Sequence, residues 1–164
     1  MGKVSTALVI GGGIAGPVTA LALRRAGIEA TVFESHPSAA DGVGAMLSLA
    51  PNGIDALRVV GAHTVIEAIG QPVPGVVMAD GGGRRLSAFH GFPGLPATRA
   101  MARADLFRAL ADFASADGIH LAHGKRLVAA EDDGDSPSAA PSWGTGACPP
   151  DASSGSPGCP APSR

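Results

Sequence analysis

An α/β fold built on a parallel sheet is predicted by three observations. Residues 5–10 and 28–33 are short apolar runs rich in Val, Ile and other strand formers. A segment of helical period lies between them. The first run passes directly into Gly11-x-Gly13-x-x-Gly16. A strand, a glycine turn, a helix and a second strand in that order make a βαβ unit. Its two strands run parallel because the helix carries the chain back to the starting end.

The first strand is expected over 5–10, buried on both faces as parallel strands usually are. The helix is expected over 14–26. Pro17 fits its first turn, where the missing N–H would have no partner anyway. Arg24 and Arg25 suit the negative end of the helix dipole, and Gly27 can end the helix. The second strand follows over 28–33. Residues 35–41 are polar and turn-rich, and 47–49 form a short extended piece before Pro51. Ile54, Leu57 and Val60 at helical spacing predict a helix over 52–60, closed by Gly61. A further short helix is expected over 63–69.

Residues 76–79 and 85–89 are expected to pair as a hairpin across Asp80-Gly81-Gly82-Gly83. A helix is predicted over 104–114, with Leu106, Phe107, Leu110 and Phe113 on one face and Asp105 in the first turn. Gly118 ends it. Short strands over 119–121 and 126–130 follow, and 131–135 read as an acidic turn.

The glycine turn and the strand after it carry the chemistry. Gly11 permits a tight turn out of the first strand. Gly13 has no Cβ, so backbone can approach a pyrophosphate, and Gly16 lets helix and strand pack closely. Ile14 and Ala15 lie within the same loop, where a helix N-terminus offers unpaired N–H groups and partial positive charge to phosphate. Glu34 stands at the end of the second strand, 23 residues after Gly11. Its carboxylate can accept hydrogen bonds from a ribose diol. These parts in this order predict dinucleotide binding, with FAD or NAD as the ligand. NADP is disfavoured, because a carboxylate repels its 2′-phosphate. The plainer reading is a βαβ unit with an incidental glycine turn.

Composition limits the other possibilities. The chain has 164 residues and a net charge of −2, with no basic patch interleaved with aromatics, so no nucleic-acid partner is expected. The first apolar stretch is broken by four glycines and Pro17, so it is read as strand and helix, and no membrane partner is expected. Met1-Gly2-Lys3-Val4-Ser5-Thr6 formally fits an N-myristoylation pattern, but a buried strand start makes a poor lipid anchor. Cys148 and Cys159 are the two cysteines, both in the tail and without a Cys/His cluster, so no metal site is expected. A core without cysteine fits a cytoplasmic location. His120 and His123 are three apart on a strand or turn, a spacing that puts them on opposite faces. His36, just after Glu34, is more simply an exposed residue.

With these residues in view, 11–34 resembles the FAD-binding βαβ unit of the flavoprotein aromatic hydroxylases, the para-hydroxybenzoate hydroxylase-like class. Gly44-Ala45-Met46-Leu47-Ser48-Leu49-Ala50-Pro51-Asn52-Gly53 is similar to that family's segment between the second strand and the next helix. Met101-Ala102-Arg103-Ala104-Asp105-Leu106-Phe107-Arg108-Ala109-Leu110 resembles its R-x-x-L-x-x-x-L helix. The resemblance covers residues 4–135. It implies a Rossmann-like FAD-binding domain over 1–135, with a substrate sheet beginning near 72–98. It also implies a single-component monooxygenase, an oxidoreductase in which NAD(P)H reduces the flavin and O2 serves to hydroxylate an aromatic substrate. Gly11, Gly13, Ile14, Ala15 and Gly16 would then meet the cofactor phosphates, and Glu34 the adenosine ribose. Arg103 would contact the phosphate or ribose region, and Leu127 or Val128 would lie near the adenine through backbone atoms. No side-chain catalyst is implied, because the flavin carries the hard chemistry. The alternatives are an NAD-binding oxidoreductase fragment and a noncatalytic remnant.

The family's later Gly-Ala-Asp-Gly-type and Gly-Asp-Ala motifs do not occur in the sequence. An incomplete, truncated flavoprotein, inactive alone, is therefore expected. From Ser136 onward 23 of 29 residues are Pro, Gly, Ser or Ala, so 136–164 is predicted to be a disordered tail. The change is abrupt, and it is read as translation out of frame from near the codon for Ser136.

Overall fold

The computed structural model describes residues 4–37, 45–91, 93–132 and 139–145. The chain divides into two compact units, one formed by 1–41 with 111–164 and the other by 42–110.

The first unit holds the predicted βαβ. Strand β1 (Thr6–Ile10) leads into helix α1 (Ala15–Arg25) and strand β2 (Glu29–Phe33). β1 and β2 pair in parallel, with Ala7 opposite Ala30 and Val9 opposite Val32. α1 packs on that face, where Ala20, Leu21, Ala30 and Val32 are buried. Its end is made as predicted: Gly27 takes φ 80° and donates its N–H to the Arg24 carbonyl at 2.9 Å. Such a φ suits glycine because a Cβ would crowd the backbone. Leu8 and Ile10 point the other way and are 45% and 49% exposed. The expectation of a strand buried on both faces is therefore corrected. Among the described residues β1 pairs with β2 alone, so it lies at a sheet edge.

In the second unit, β3 (Met46–Leu49), α2 (Pro51–Val59) and α3 (His63–Ile69) appear close to their predicted spans. Pro51 starts α2, where its missing N–H leaves no hydrogen bond unmade. Ile54, Leu57, Val60 and Ile66 form the core of this unit with Met101, Leu106 and Leu110. Two strands here were not predicted: β4 (Gln71–Val73) and, after the hairpin, β7 (Thr98–Ala102). β7 runs antiparallel between β3 and β4, with Met46 opposite Ala102 and Pro72 opposite Arg99. Arg99 closes the end of α3, its Nη1 donating to the carbonyls of Gly70 at 2.9 Å and Glu67 at 3.2 Å. The hairpin of β5 (Val76–Ala79) and β6 (Arg85–Phe89) has its predicted bounds. Its turn is held by Asp80 Oδ1, which accepts the N–H of Gly82 at 3.0 Å and of Arg84 at 2.9 Å.

Helix α4 (Arg103–Ala116) then carries the chain out of the second unit, and Leu106, Leu110 and Ala114 are its buried positions. Back in the first unit, β8 (His120–Ala122) joins β2 in parallel, giving a sheet of order β1-β2-β8. β9 (Lys125–Asp132) pairs antiparallel with β10 (Ala139–Thr145). The expected tail from 136 is therefore corrected over 139–145. A β-ladder joins backbone groups, which even a Ser- and Ala-rich segment supplies. Cys148 and Cys159 lie outside the described residues.

Candidate functional site

The glycine loop and the end of β2 form one hydrogen-bonded unit. The N–H of Gly11 donates to the Phe33 carbonyl at 2.8 Å, which carries the β1–β2 ladder one residue past β1. Gly11 sits at φ 100°, so the turn uses a conformation that disfavours any residue with a Cβ. The next amide, that of Gly12, donates to Glu34 Oε2 at 2.7 Å. The other carboxylate oxygen, Oε1, accepts the His36 N–H at 2.8 Å and the Ser35 hydroxyl at 3.0 Å. Burial alone would raise the Glu34 pKa. The hydrogen bonds from His36, Gly12 and Ser35, with the nearby His36 charge, outweigh it and hold the carboxyl below its ordinary value.

The three motif glycines have distinct surroundings. A Cβ on Gly16 would run into the Gly11 carbonyl group and come 3.5 Å from Val32 Cγ1. A Cβ on Gly13 would meet nothing within 4 Å. Packing thus demands glycine at 16 but leaves 13 free, so the space beside 13 is available to a ligand. Helix α1 begins beside this space. Ile14 is its N-cap, with no side-chain cap hydrogen bond and no acidic residue in the first turn. A helix start of this kind keeps amide donors and partial positive charge for an anion. Ile14 is half-buried and Ala15 exposed, so both contribute backbone to the same rim. The donor set and the room beside Gly13 fit a dinucleotide pyrophosphate, and the carboxylate at the end of β2 fits the attached ribose.

β9 adjoins the same corner. Its Lys125 N–H donates to the Glu34 carbonyl at 2.8 Å, and the Gly124 N–H donates to the His36 carbonyl at 2.9 Å. Leu127 and Val128 follow within β9, Leu127 half-buried and Val128 66% exposed. The structure therefore brings Gly11, Gly13, Gly16, Glu34 and the start of β9 together in one unit. Arg103 belongs to the other unit, at the start of α4. Its N–H donates to the Ala45 carbonyl at 3.1 Å, which joins the two segments that carried the family resemblance, and its side chain is exposed.

Sequence reasoning missed the part played by Gly12. It lies outside the three-glycine pattern, and its buried amide is the donor that meets Glu34. The signal was available in principle, because an amide between two motif glycines faces the acid at the end of the second strand. Among the described residues no group of three or more His, Cys, Asp or Glu gathers to hold a metal ion. No helix among them is long and apolar enough to cross a membrane.

The FAD binding domain family model matches residues 4–144, a span ending within β10. An FAD-dependent urate hydroxylase of Klebsiella pneumoniae is 31% identical over 134 residues, covering 79% of this chain and 34% of that protein. The aurachin C monooxygenase/isomerase of Stigmatella aurantiaca is 39% identical over 83 residues, covering 51% of this chain and 21% of that protein. Among solved structures, the tetrameric form of 2-methyl-3-hydroxypyridine-5-carboxylic acid oxygenase aligns with a TM-score of 0.69 at 31% identity, covering 79% of this chain and 34% of that one. Klebsiella pneumoniae HpxO, complexed with FAD and uric acid, aligns with a TM-score of 0.66 at 25% identity, covering 85% of this chain and 37% of that one. The chain spans about a third of the length of the first of these relatives.

Proposed function

From the premise that the chain belongs to the FAD binding domain family, we propose that its first unit holds the ADP half of FAD. Gly11, Gly13, Ile14, Ala15 and Gly16 with the start of α1 receive the pyrophosphate. Glu34 accepts from the adenosine ribose, and the backbone at Leu127 or Val128 borders the adenine. Arg103, which the family resemblance names for the phosphate or ribose region, lies in the other unit. Residues 1–135 act as the FAD-binding domain, and the strands near 72–98 begin the substrate sheet.

The observation that carries this reading is the pairing of an uncapped α1 start with open space at Gly13 and a carboxylate hydrogen-bonded into the same loop. No protein group stands within 4 Å of where a Gly13 Cβ would lie, so the loop leaves room there for a phosphate. When bound, FAD supplies redox and oxygen chemistry; this chain's residues bind it, orient it and neutralise its phosphate charge.

As part of a longer flavin-dependent monooxygenase, the chain serves NAD(P)H- and O2-dependent hydroxylation of an aromatic or similar small organic substrate. The named activities of its relatives, a urate hydroxylase and an aurachin C monooxygenase, support the hydroxylation. Titration of the protein into FAD, followed by flavin fluorescence and calorimetry, tests the cofactor assignment. Saturable FAD binding with NAD ignored supports it. Tight NAD binding with FAD ignored would instead establish the alternative of an NAD-dependent oxidoreductase.

A further inference from the structure

The hydrogen-bond inventory of Glu34 is nearly full before any ligand arrives. An ionised carboxylate has about four acceptor positions, two on each oxygen. Oε1 takes two donors from the chain directly following β2, the Ser35 hydroxyl at 3.0 Å and the His36 amide at 2.8 Å. Oε2 takes the Gly12 amide at 2.7 Å and, among the described residues, keeps one position open. Such a group can accept one ribose hydroxyl while its chain contacts last, but not both hydroxyls of a diol.

We propose that Glu34 is a positioning residue for the glycine loop. Its anchored carboxylate holds the Gly12 amide so that the Gly11–Gly16 turn is in binding geometry before the cofactor enters. The inference rests on the FAD-binding reading above and deepens it. It explains why the carboxylate bridges two segments 22 residues apart. Oε1 is fixed to β2's own continuation and Oε2 to the loop, so the side chain transmits the position of the sheet end to the phosphate-binding turn. The next amide in the loop is that of Gly13, beside the open space.

Glu34→Gln separates this role from a simple ribose contact. Glutamine keeps an acceptor and gains donors, so it can still bond a ribose hydroxyl. It cannot satisfy both ends of the bridge. Whichever way its amide is turned, an NH2 group confronts a backbone N–H, either that of Gly12 or that of His36. Neither backbone donor can rotate away.

Two measurements test the proposal on the whole 164-residue chain. The first is FAD affinity of Glu34→Gln beside Glu34→Ala. The expected result is a similar loss for both, roughly tenfold or more, since one charge-assisted bond is worth about that factor. Wild-type affinity in Glu34→Gln would overturn the proposal. The second is the Gly12 amide proton in the FAD-free wild-type chain, followed by NMR on acidification. It should move as the Glu34 carboxyl takes up its proton. The adjoining titratable groups are His36 on the same segment and His123 and Lys125 on the segment bonded to it. A Gly12 amide indifferent to pH across the carboxylate range would overturn the proposal. This second arm needs neither FAD nor a folded variant. If the wild-type chain fails to bind FAD, the cofactor assignment falls while the Gly12 signal still decides the positioning role.

Discussion

Replacing Gly16 by alanine gives the sharpest contrast available in this site. The added Cβ would enter the carbonyl group of Gly11, standing 3.1 Å from its carbon, with Val32 Cγ1 3.5 Å away on another side. The obstacle is backbone, which no rotamer change relieves, while Val32 is in ordinary contact. If α1 retreats instead, it loses packing over Ala20, Leu21, Ala30 and Val32. Overpacking of this kind costs about 1–3 kcal/mol. If the loop retreats, it strains the Gly11–Phe33 bond at 2.8 Å and the Gly12–Glu34 bond at 2.7 Å. A bond to a charged group is worth about 1.5–3 kcal/mol, less here because Glu34 is only half-buried. Either route lowers the folded-to-unfolded ratio by roughly fivefold or more, since about 1.4 kcal/mol is a factor of ten. The assay is urea unfolding of the wild-type chain, Gly16→Ala and Gly13→Ala, with FAD titrations of all three. Gly16→Ala should unfold at lower urea with an unchanged slope and bind FAD weakly. Gly13→Ala, whose Cβ meets nothing within 4 Å, should keep the wild-type midpoint and lose FAD affinity alone. A Gly16→Ala chain with wild-type midpoint and affinity would refute the packing argument.

Further outcomes are expected. Gly11→Ala should lose about 1–2 kcal/mol of stability, because φ 100° is a backbone conformation that L side chains resist; the urea midpoint checks it. Glu34 has a folded-state pKa below its ordinary value of 4.5, so its contribution to stability is complete above that pH and disappears as pH falls through the lowered folded value. A chain carrying Glu34→Ala should show a correspondingly shallower loss of stability on acidification, read by unfolding at a series of pH values. The 164-residue chain assayed alone with FAD and NAD(P)H is expected to give no coupled hydroxylation, since it spans about a third of its relative's length; stoichiometric hydroxylated product would count against this.

The βαβ unit was legible because its signals are local. An apolar run, a three-glycine turn, a helical period and a terminal acid all act over 30 residues, and each dictates backbone conformation or packing where it stands. The ends of α1 and the bounds of the β5–β6 hairpin follow from the same short-range chemistry, through Gly27 and the Asp80 turn. Strand β7 was not legible. Thr98–Ala102 has no alternating apolar pattern and runs straight into the helix at Arg103, and it becomes a strand by lying between β3 and β4. Met46, its partner's first residue, stands far away in sequence from Ala102. β10 likewise owes its form to the ladder offered by β9 rather than to any alternating apolar pattern of its own.

For the site, the sequence by itself determined which residue types stand at the turn and that an acid ends the second strand. Only the tertiary structure decided that Glu34 already accepts the Gly12, Ser35 and His36 donors, that Gly16 is closed in while Gly13 is open, and that among the described residues β1 pairs with β2 alone and leaves Leu8 and Ile10 exposed. The reason is physical. Turn geometry and helix period are properties of neighbouring residues, whereas hydrogen-bond partners, free space and edge position depend on which distant backbone arrives alongside.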